Sequence, residues 1–354
     1  MERISKQNMT DQATHGQIIK SEFRAAPWLK NRHLQTLYPS IPWPQAPRPE
    51  LTRRPLNLPD GDVTVIDWLA DCADSADDTP LLVVLHGLEG SAESIYARCM
   101  MQAAADHGWH AAVLHFRDCG DYRNVLPRRY HAGETNDLRY FLNKVRTEGQ
   151  EGPIVAAGYS LGGNVLLKYL GEDGPTTPLH AAAAVSAPLD LSVCSEALTI
   201  GFSMIYQRYL LKWIKSAVAR KFDLHTAAFD WNRAMAASTF AEFDDAVTAP
   251  LHGFSGKDEY YGKCSSISFL KDIERPTLLI NSLDDPFMLP KMLPEEDRLA
   301  EQVTLEISEQ GGHVGFIGGG TPWNPQYYLP TRIIDFLQDE IVKGESQTHA
   351  LPCM

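Results

Sequence analysis

Ser160 lies in a pattern that is typical of an activated serine nucleophile. The residues Gly158-Tyr159-Ser160-Leu161-Gly162 match G-x-S-x-G, follow the apolar run IVAAGYS and open the amphipathic stretch NVLLKYL. A nucleophile on a sharp turn between a strand and a helix has strained backbone geometry, and glycines two residues to either side prevent collisions there. The pattern predicts attack by a serine hydroxyl on an acyl group.

A serine hydroxyl is a poor nucleophile until a base takes its proton, and the base in turn needs an acid to orient it. His313 lies in the glycine-flanked segment EQGGHVGF, and Asp284 and Asp285 follow the apolar run TLLINSL. We favour Asp284 as the acid because it comes first after the predicted strand and would project from its carboxyl edge, where open α/β sheets place their sites. Asp285 is the alternative.

Acyl transfer also needs two N–H donors for the developing oxyanion. The backbone N–H of Leu161, directly after the nucleophile, is one predicted donor. The second is expected in the glycine-rich segment LHGLEG (85–90), with the N–H of Leu88 favoured. A second polar cluster, RRYHAGETND (128–137), contains His131 and Glu134, which we expect to brace loops rather than to act on substrate.

The candidate catalytic residues follow different predicted strands, so they need a fold that brings the ends of those strands close together. Short apolar runs alternate with amphipathic helical stretches, which is typical of a mostly parallel sheet buried on both faces. A hairpin around Pro59-Asp60-Gly61 precedes them. We therefore predict an α/β fold with a doubly wound sheet, whose strands are 81–86, 111–116, 154–160, 181–187, 277–283 and 303–308.

The chain is expected to form a single domain over residues 21–354, after a mobile tail at 1–20. About 90 residues separate two of the predicted strands, which indicates a cap or lid insertion at about 190–270. The insertion contains FSMIYQRYLLKWIKSAVARK (202–221), with apolar residues at helical spacing. The favoured interpretation is a helix that packs on the core, and the alternative is a lid or a membrane-surface helix.

Composition narrows the functional classes. The net charge of −13 disfavours binding to nucleic acid or to anionic lipid over the whole surface. The six cysteines show no metal-site spacing, so we expect no metal and a reducing, cytoplasmic location. No apolar leader and no membrane-spanning run is present in the sequence. No organic cofactor is needed for the predicted chemistry.

Several further motifs span most of residues 30–320: NRHLQT, HGLEGS, HFRDCG, YHAGETND, GYSLGGN, DDPF and GGHVGF. With these motifs the chain resembles the YheT-like hydrolases, the AB hydrolase 4 family of the α/β-hydrolase superfamily. Asp118 and Cys119-Gly120-Asp121 depart from the family pattern, which leaves the shape of that loop open.

The resemblance implies the α/β-hydrolase fold and a relay of Ser160, Asp284 and His313. The expected function is hydrolysis of carboxylic esters with short to medium acyl chains, lipid esters included, through an acyl-serine intermediate. Two alternatives remain at this point. An alcohol could replace water as the acyl acceptor, or the fold could serve as a non-catalytic binding protein.

Overall fold

The computed structural model describes residues 15–41, 46–72 and 77–349. Its centre is a nine-stranded sheet in the order β1-β9-β8-β7-β6-β4-β5-β3-β2. Its strands are β1 (Gln17–Lys20), β2 (Leu51–Asn57), β3 (Val63–Leu69), β4 (Leu81–Leu85), β5 (His110–Leu114), β6 (Ile154–Tyr159), β7 (Leu179–Val185), β8 (Thr277–Ser282) and β9 (Val303–Ser308).

The sheet is parallel except at one edge, where β2 pairs with β3 and β3 pairs with β5 in the antiparallel sense. Strands β4, β6 and β8 are buried along their whole length, which explains why the sequence shows continuous apolar runs there. The predicted α/β fold, the hairpin and the six central strands are confirmed.

Helices cover both faces of the sheet. One face packs against α3 (Asn136–Thr147) and α4 (Leu161–Asp173), and the other packs against α2 (Ile95–Asp106) and α11 (Tyr328–His349). This arrangement makes the sheet doubly wound, as predicted. Each face of the sheet buries its own layer of apolar side chains against these helices. The strands are therefore shielded from solvent on both faces.

The cap lies between β7 and β8 and is helical. Its helix α6 (Ser203–Lys221) matches the predicted segment 202–221 to within one residue. The other α-helices and the π-helical turn of the cap are α5 (Leu191–Ala197), α7 (Trp231–Ala236), α8 (Phe240–Phe243), the turn Asp244–Thr248, α9 (Ala249–Leu251) and α10 (Lys257–Cys264).

The predicted tail needs a correction at its end. Gln17–Lys20 forms β1 and pairs in parallel with β9, so these four residues belong to the sheet. A four-residue edge strand with only two apolar side chains has no readable period, which is why the sequence did not reveal it. Residues 1–14 lie outside the described part of the chain. Helix α1 (Arg32–Leu37) follows β1 and begins at the capping residue Asn31.

A second small sheet was also missed by sequence reasoning. Strands β10 (Ile317–Thr321) and β11 (Asn324–Tyr327) form an antiparallel hairpin just after the segment that contains His313. Its sequences, IGGGT and NPQY, are rich in glycine and proline, which are unfavourable in strands.

Candidate active site

Ser160 lies at the junction where β6 ends and α4 begins. Its backbone has φ 50° and ψ −120°, which a non-glycine residue rarely adopts. Backbone atoms approach the positions of the glycines around Ser160 so closely that a side chain would not fit there. A Cβ on Gly158 would lie 2.6 Å from the carbonyl oxygen of Gly162, and a Cβ on Gly162 would lie 2.5 Å from that of His86. The local sequence therefore permits a turn that other residues would prevent.

The structure brings His313 to the nucleophile. Its Nε2 lies 2.9 Å from the Ser160 Oγ, and its Nδ1 lies 2.9 Å from Oδ2 of Asp285. The ring stacks on Phe287 with centroids 4.1 Å apart, and the backbone N–H of His313 donates to Thr36 Oγ1. With a proton on Nδ1, the imidazole can accept the serine proton at Nε2.

The acid in contact with His313 is Asp285, and the preference for Asp284 is corrected here. Strand β8 ends at Ser282, where the N–H of Asp285 donates to the Ser282 carbonyl and turns the chain. The turn directs Asp285 inward, where its other oxygen accepts the Phe287 N–H at 2.8 Å. Asp284 instead accepts the N–H of Gly312 at 2.9 Å. Burial raises the pKa of the Asp284 carboxyl.

The first of the two predicted oxyanion donors, Leu161, opens helix α4. Its N–H is among the first-turn amides that have no acceptor within a helix. The second, Leu88, follows Gly87, whose Cβ position would lie 3.4 Å from the Ser160 Cβ. The structure therefore places both donor segments beside the nucleophile.

Hydrogen bonds fix the orientation of the Leu88 amide. The Gly87 carbonyl accepts from the Gly90 N–H at 3.0 Å and lies 2.7 Å from Nδ1 of His86. Because a trans peptide holds its C=O and N–H in opposite directions, these contacts turn the Leu88 N–H to the other side. The amides of Gly87 and Glu89 donate to tyrosine hydroxyls, whereas the Leu88 amide has no acceptor among the described residues.

His86 supports this loop from beneath. Its Nε2 accepts the N–H of Phe116 at 3.1 Å, so the proton is on Nδ1 and is donated to the Gly87 carbonyl. Burial, with the neighbouring charge of His115, lowers the pKa of His86 to about 3. The ring is therefore neutral at physiological pH and holds one fixed tautomer.

The loop that departs from the family pattern is linked to the oxyanion segment through Arg129. Asp118 accepts from Nε of Arg129 at 2.8 Å, and the same guanidinium donates to Glu89 at 2.7 Å. Glu89 also accepts from the Tyr130 hydroxyl at 2.8 Å. Asp118 thus helps to position the residue that follows Leu88. The sequence did not reveal this contact, because the two residues are distant in the chain.

In the part of the chain that the structure describes, no side chain of the cluster at 128–137 forms a hydrogen bond with Ser160. Among the described residues, Glu134 pairs with Arg128, and His131 packs its ring on His252 at 4.5 Å. Burial lowers the pKa of His131 to about 3. Its side chain lines the cavity described next, so it shapes the site while remaining apart from Ser160 and His313.

A cavity of about 610 Å³ opens above Ser160. Its volume lies within the usual range for small-molecule sites, and its lining is predominantly apolar. The cap helix α6 lines it on one side. The cap residues that contribute include Leu191, Tyr206, Tyr209, Trp213 and Ile214.

Asp244 is the one charged cap residue described in the cavity lining. It stands on the π-helical turn and accepts hydrogen bonds from Thr248 Oγ1 at 2.6 Å and from the Tyr261 hydroxyl at 2.8 Å. Burial raises the pKa of this carboxyl to about 6. No sequence signal identified Asp244, because an isolated aspartate in a helical stretch matches no motif.

Within residues 15–41, 46–72 and 77–349, no group of three or more His, Cys, Asp or Glu side chains is placed to hold a metal ion. None of the helices in these ranges combines the length and apolar character that a membrane span needs.

Comparisons with known proteins show the family and the fold of the chain. A family model described as alpha/beta hydrolase fold matches residues 80–319. The chain is 42% identical over 319 residues to YheT of Escherichia coli (strain K12), which is named as a candidate esterase, covering 90% of this chain and 93% of YheT. It is 30% identical over 294 residues to human phospholipase ABHD3, covering 79% and 72% respectively. The Pyrococcus furiosus esterase Pf2001 shares the fold, with a TM-score of 0.54, 17% identity and coverage of 82% and 91%.

Proposed function

The chain belongs to the alpha/beta-hydrolase family, in the YheT-like group, and is a hydrolase; from this premise we propose that it cleaves carboxylic esters through an acyl-Ser160 intermediate. The observation that carries the proposal is the continuous contact from Ser160 through His313 to Asp285. The names of YheT, a candidate esterase, and of ABHD3, a phospholipase, agree with an ester substrate.

The first half of the reaction forms the acyl-enzyme. Ser160 Oγ attacks the ester carbonyl carbon while His313 Nε2 takes the hydroxyl proton, and Asp285 stabilises the resulting imidazolium. The N–H groups of Leu88 and Leu161 stabilise the oxyanion. When the tetrahedral intermediate collapses, His313 returns the proton to the leaving oxygen and an alcohol departs.

The second half releases the acid. A water molecule loses a proton to His313 as its oxygen attacks the acyl carbon, and the Ser160 oxygen leaves and regains the proton. The sum is ester plus water giving acid plus alcohol. Each oxyanion donor typically contributes about 3 kcal/mol of transition-state stabilisation, so the bracing of the Gly87–Leu88 peptide matters to rate.

The cavity supports the proposed substrate class. An apolar lining with a volume of about 610 Å³ suits an acyl chain of short to medium length better than a polar or highly charged acyl group. The cap supplies much of this lining, in agreement with the predicted role of the insertion at about 190–270. Lipid esters are included in the proposed class.

A p-nitrophenyl ester series from acetate to palmitate tests the proposal. We expect kcat/KM to reach a maximum at one acyl length and to fall to background in Ser160→Ala. Addition of ethanol separates hydrolysis from transfer, since ethyl ester formed in place of acid would identify an alcohol as the acceptor. Absence of turnover on the whole series by the folded wild type, together with saturable ligand binding, would favour a binding protein.

A further inference from the structure

The outer face of α6 has an unusual composition for this protein. The helix contains five basic residues, of which Arg208, Lys212 and Arg220 are exposed, and no acidic residue, whereas the whole chain has a net charge of −13. Its inner face packs in the cap core through Leu211, Ile214 and Val218. The side chains that project outward are therefore not needed to hold the helix in place. Over residues 203–213 they are Met204, Ile205, Arg208, Tyr209, Lys212 and Trp213.

Large apolar side chains on this face are exposed. Ile205 is 51% exposed, Tyr209 58% and Trp213 51%. They are adjacent on one helical face, because residues three and four apart are neighbours there. Contiguous exposed apolar patches of this kind mark interaction sites.

The basic side chains between them are free of anions. Among the described residues, neither Arg208 nor Lys212 forms an ion pair or a hydrogen bond through its side chain. Lys and Arg can extend their charged groups past an apolar surface while their methylene stems remain in contact with it. Aromatic, aliphatic and basic residues on one helical face are the features of a helix that lies at an anionic lipid interface.

The same face borders the entrance to the cavity. Tyr209 and Trp213 are exposed and also line the cavity, as does Leu37 of α1, which is 44% exposed. The rings of His33 and Phe202 lie 4.3 Å apart and join α1 to the start of α6. Apolar residues of both helices therefore surround one opening.

Both glutamates that line the cavity form ion pairs. Glu93 pairs with Arg98, and Glu89 pairs with Arg129. These ion pairs reduce the repulsion between the two glutamates and a negatively charged surface. The net negative charge of the remaining molecule would orient α6 toward such a surface.

We propose that the outer face of α6, with the adjoining residues of α1, docks on an anionic lipid surface and places the cavity entrance against it. The purpose of the docking, which is to let ester substrates enter from the lipid phase, rests on the proposed function. The docking itself does not. A second copy of this chain is a poorer occupant, since a two-fold interface would place Arg208 and Lys212 against the same residues of the partner.

Vesicle co-sedimentation of Ser160→Ala protein tests the docking without turnover. We expect binding to phosphatidylcholine vesicles that contain phosphatidylglycerol, weaker binding without it, and loss of binding at high salt. The double variant R208E/K212E should lose at least about tenfold in partition coefficient, since each basic residue near the surface contributes substantially. Ile205→Asp should also weaken binding by removing apolar contact.

The matched control is K271E/R298E. Both residues are exposed and precede β8 and β9, so they lie at the amino ends of the strands, opposite the edge that holds Ser160. This variant makes the same change in net charge and should bind vesicles as the parent does. Equal binding by the parent and R208E/K212E would overturn the proposal.

Two further readouts separate the possible failures. Hydrolysis of a water-soluble p-nitrophenyl ester by otherwise wild-type R208E/K212E should be unchanged, because neither residue lines the cavity. Soluble-ester turnover without vesicle binding would refute the docking and leave the proposed function intact, whereas vesicle binding without turnover would do the reverse. A dimer in light scattering that Ile205→Asp dissociates, with no vesicle binding, would assign the face to self-association and refute the lipid surface.

Discussion

At the residue scale, adjacent aspartates have different surroundings. Asp285 is almost fully buried and contacts the His313 ring, while Asp284 accepts the Gly312 N–H and supports the loop that carries His313. Ser160 and His313 could be identified from sequence because glycines on either side of them leave few structural alternatives. The choice of acid could not, since it depends on where β8 ends and how the chain turns there.

Asparagine substitutions separate the two aspartates. Asp285→Asn keeps the shape but permits the wrong imidazole tautomer, and we expect kcat to fall by about 10⁴-fold. Asp284→Asn retains an acceptor for the Gly312 N–H, so its kcat should remain within about tenfold of the wild type. Steady-state ester hydrolysis by both variants measures the difference. A larger loss in Asp284→Asn would contradict the assignment of Asp285.

Asp244 should make stability depend on pH. Its pKa in the folded protein is raised to about 6 from the ordinary value of 3.8, so the unfolded carboxyl ionises first as the pH rises. As the pH rises from about 4 to 6, the Asp244 carboxyl therefore lowers the stability of the wild type. Above about pH 6 this loss does not increase further. Asp244→Asn removes this titration, so its Tm should rise relative to the wild type across the window.

Thermal unfolding scans from pH 4 to pH 7 measure this effect. Asp258→Asn, at a side chain that is 90% exposed, is the matched control and should show no such relative change. If the plots of Tm against pH for Asp244→Asn and the wild type stay parallel over the window, the Asp244 carboxyl does not titrate as described.

At the element scale, a buried arginine ties the loops beneath the site together. Arg117 donates to both oxygens of Asp137, at 2.7 and 2.6 Å, and to Asp60 and Asp62. These carboxylates come from the β2–β3 hairpin and from the first turn of α3. The guanidinium therefore links three segments whose positions support the strand ends around Ser160.

Arg117→Met should destabilise the fold by about 3–5 kcal/mol, because it leaves buried carboxylates without a partner. Urea denaturation gives the free energy of unfolding. The control is Lys291→Met, which breaks an ion pair with Glu196 in which both side chains are 55% exposed. That change should stay within about 1 kcal/mol. Similar losses of unfolding free energy in the two variants would show that the buried ion pairs of Arg117 contribute no more to stability than an exposed pair.

The elements themselves were predictable to different degrees. Continuous apolar runs identified the central strands, and helical periodicity identified α6, because burial on both faces or on one face leaves a clear pattern. The strands β1, β10 and β11 were missed. β1 is too short to show a period, and the glycines and proline of β10 and β11 oppose strand propensity, so tertiary pairing alone accounts for them.

At the scale of the whole molecule, a doubly wound sheet supports the nucleophile and an inserted cap supplies the apolar cavity. The length of the insertion could be read from the gap between two strands, but its packing could not, since the contacts of α6 involve distant residues. The favoured interpretation of α6 as a core-packing helix and the alternative of a lid both stay predictions. Its inner face packs in the cap, and two of its exposed residues line the cavity.

The central claim is that Ser160 is activated for covalent acyl chemistry by the folded site. Intact-protein mass spectrometry after treatment with a fluorophosphonate tests it most directly. We expect one adduct on the wild type, located at Ser160 by peptide mapping, and none on Ser160→Ala or on urea-unfolded protein. A folded wild type that remains unlabelled, or an adduct that persists in Ser160→Ala, would contradict the account.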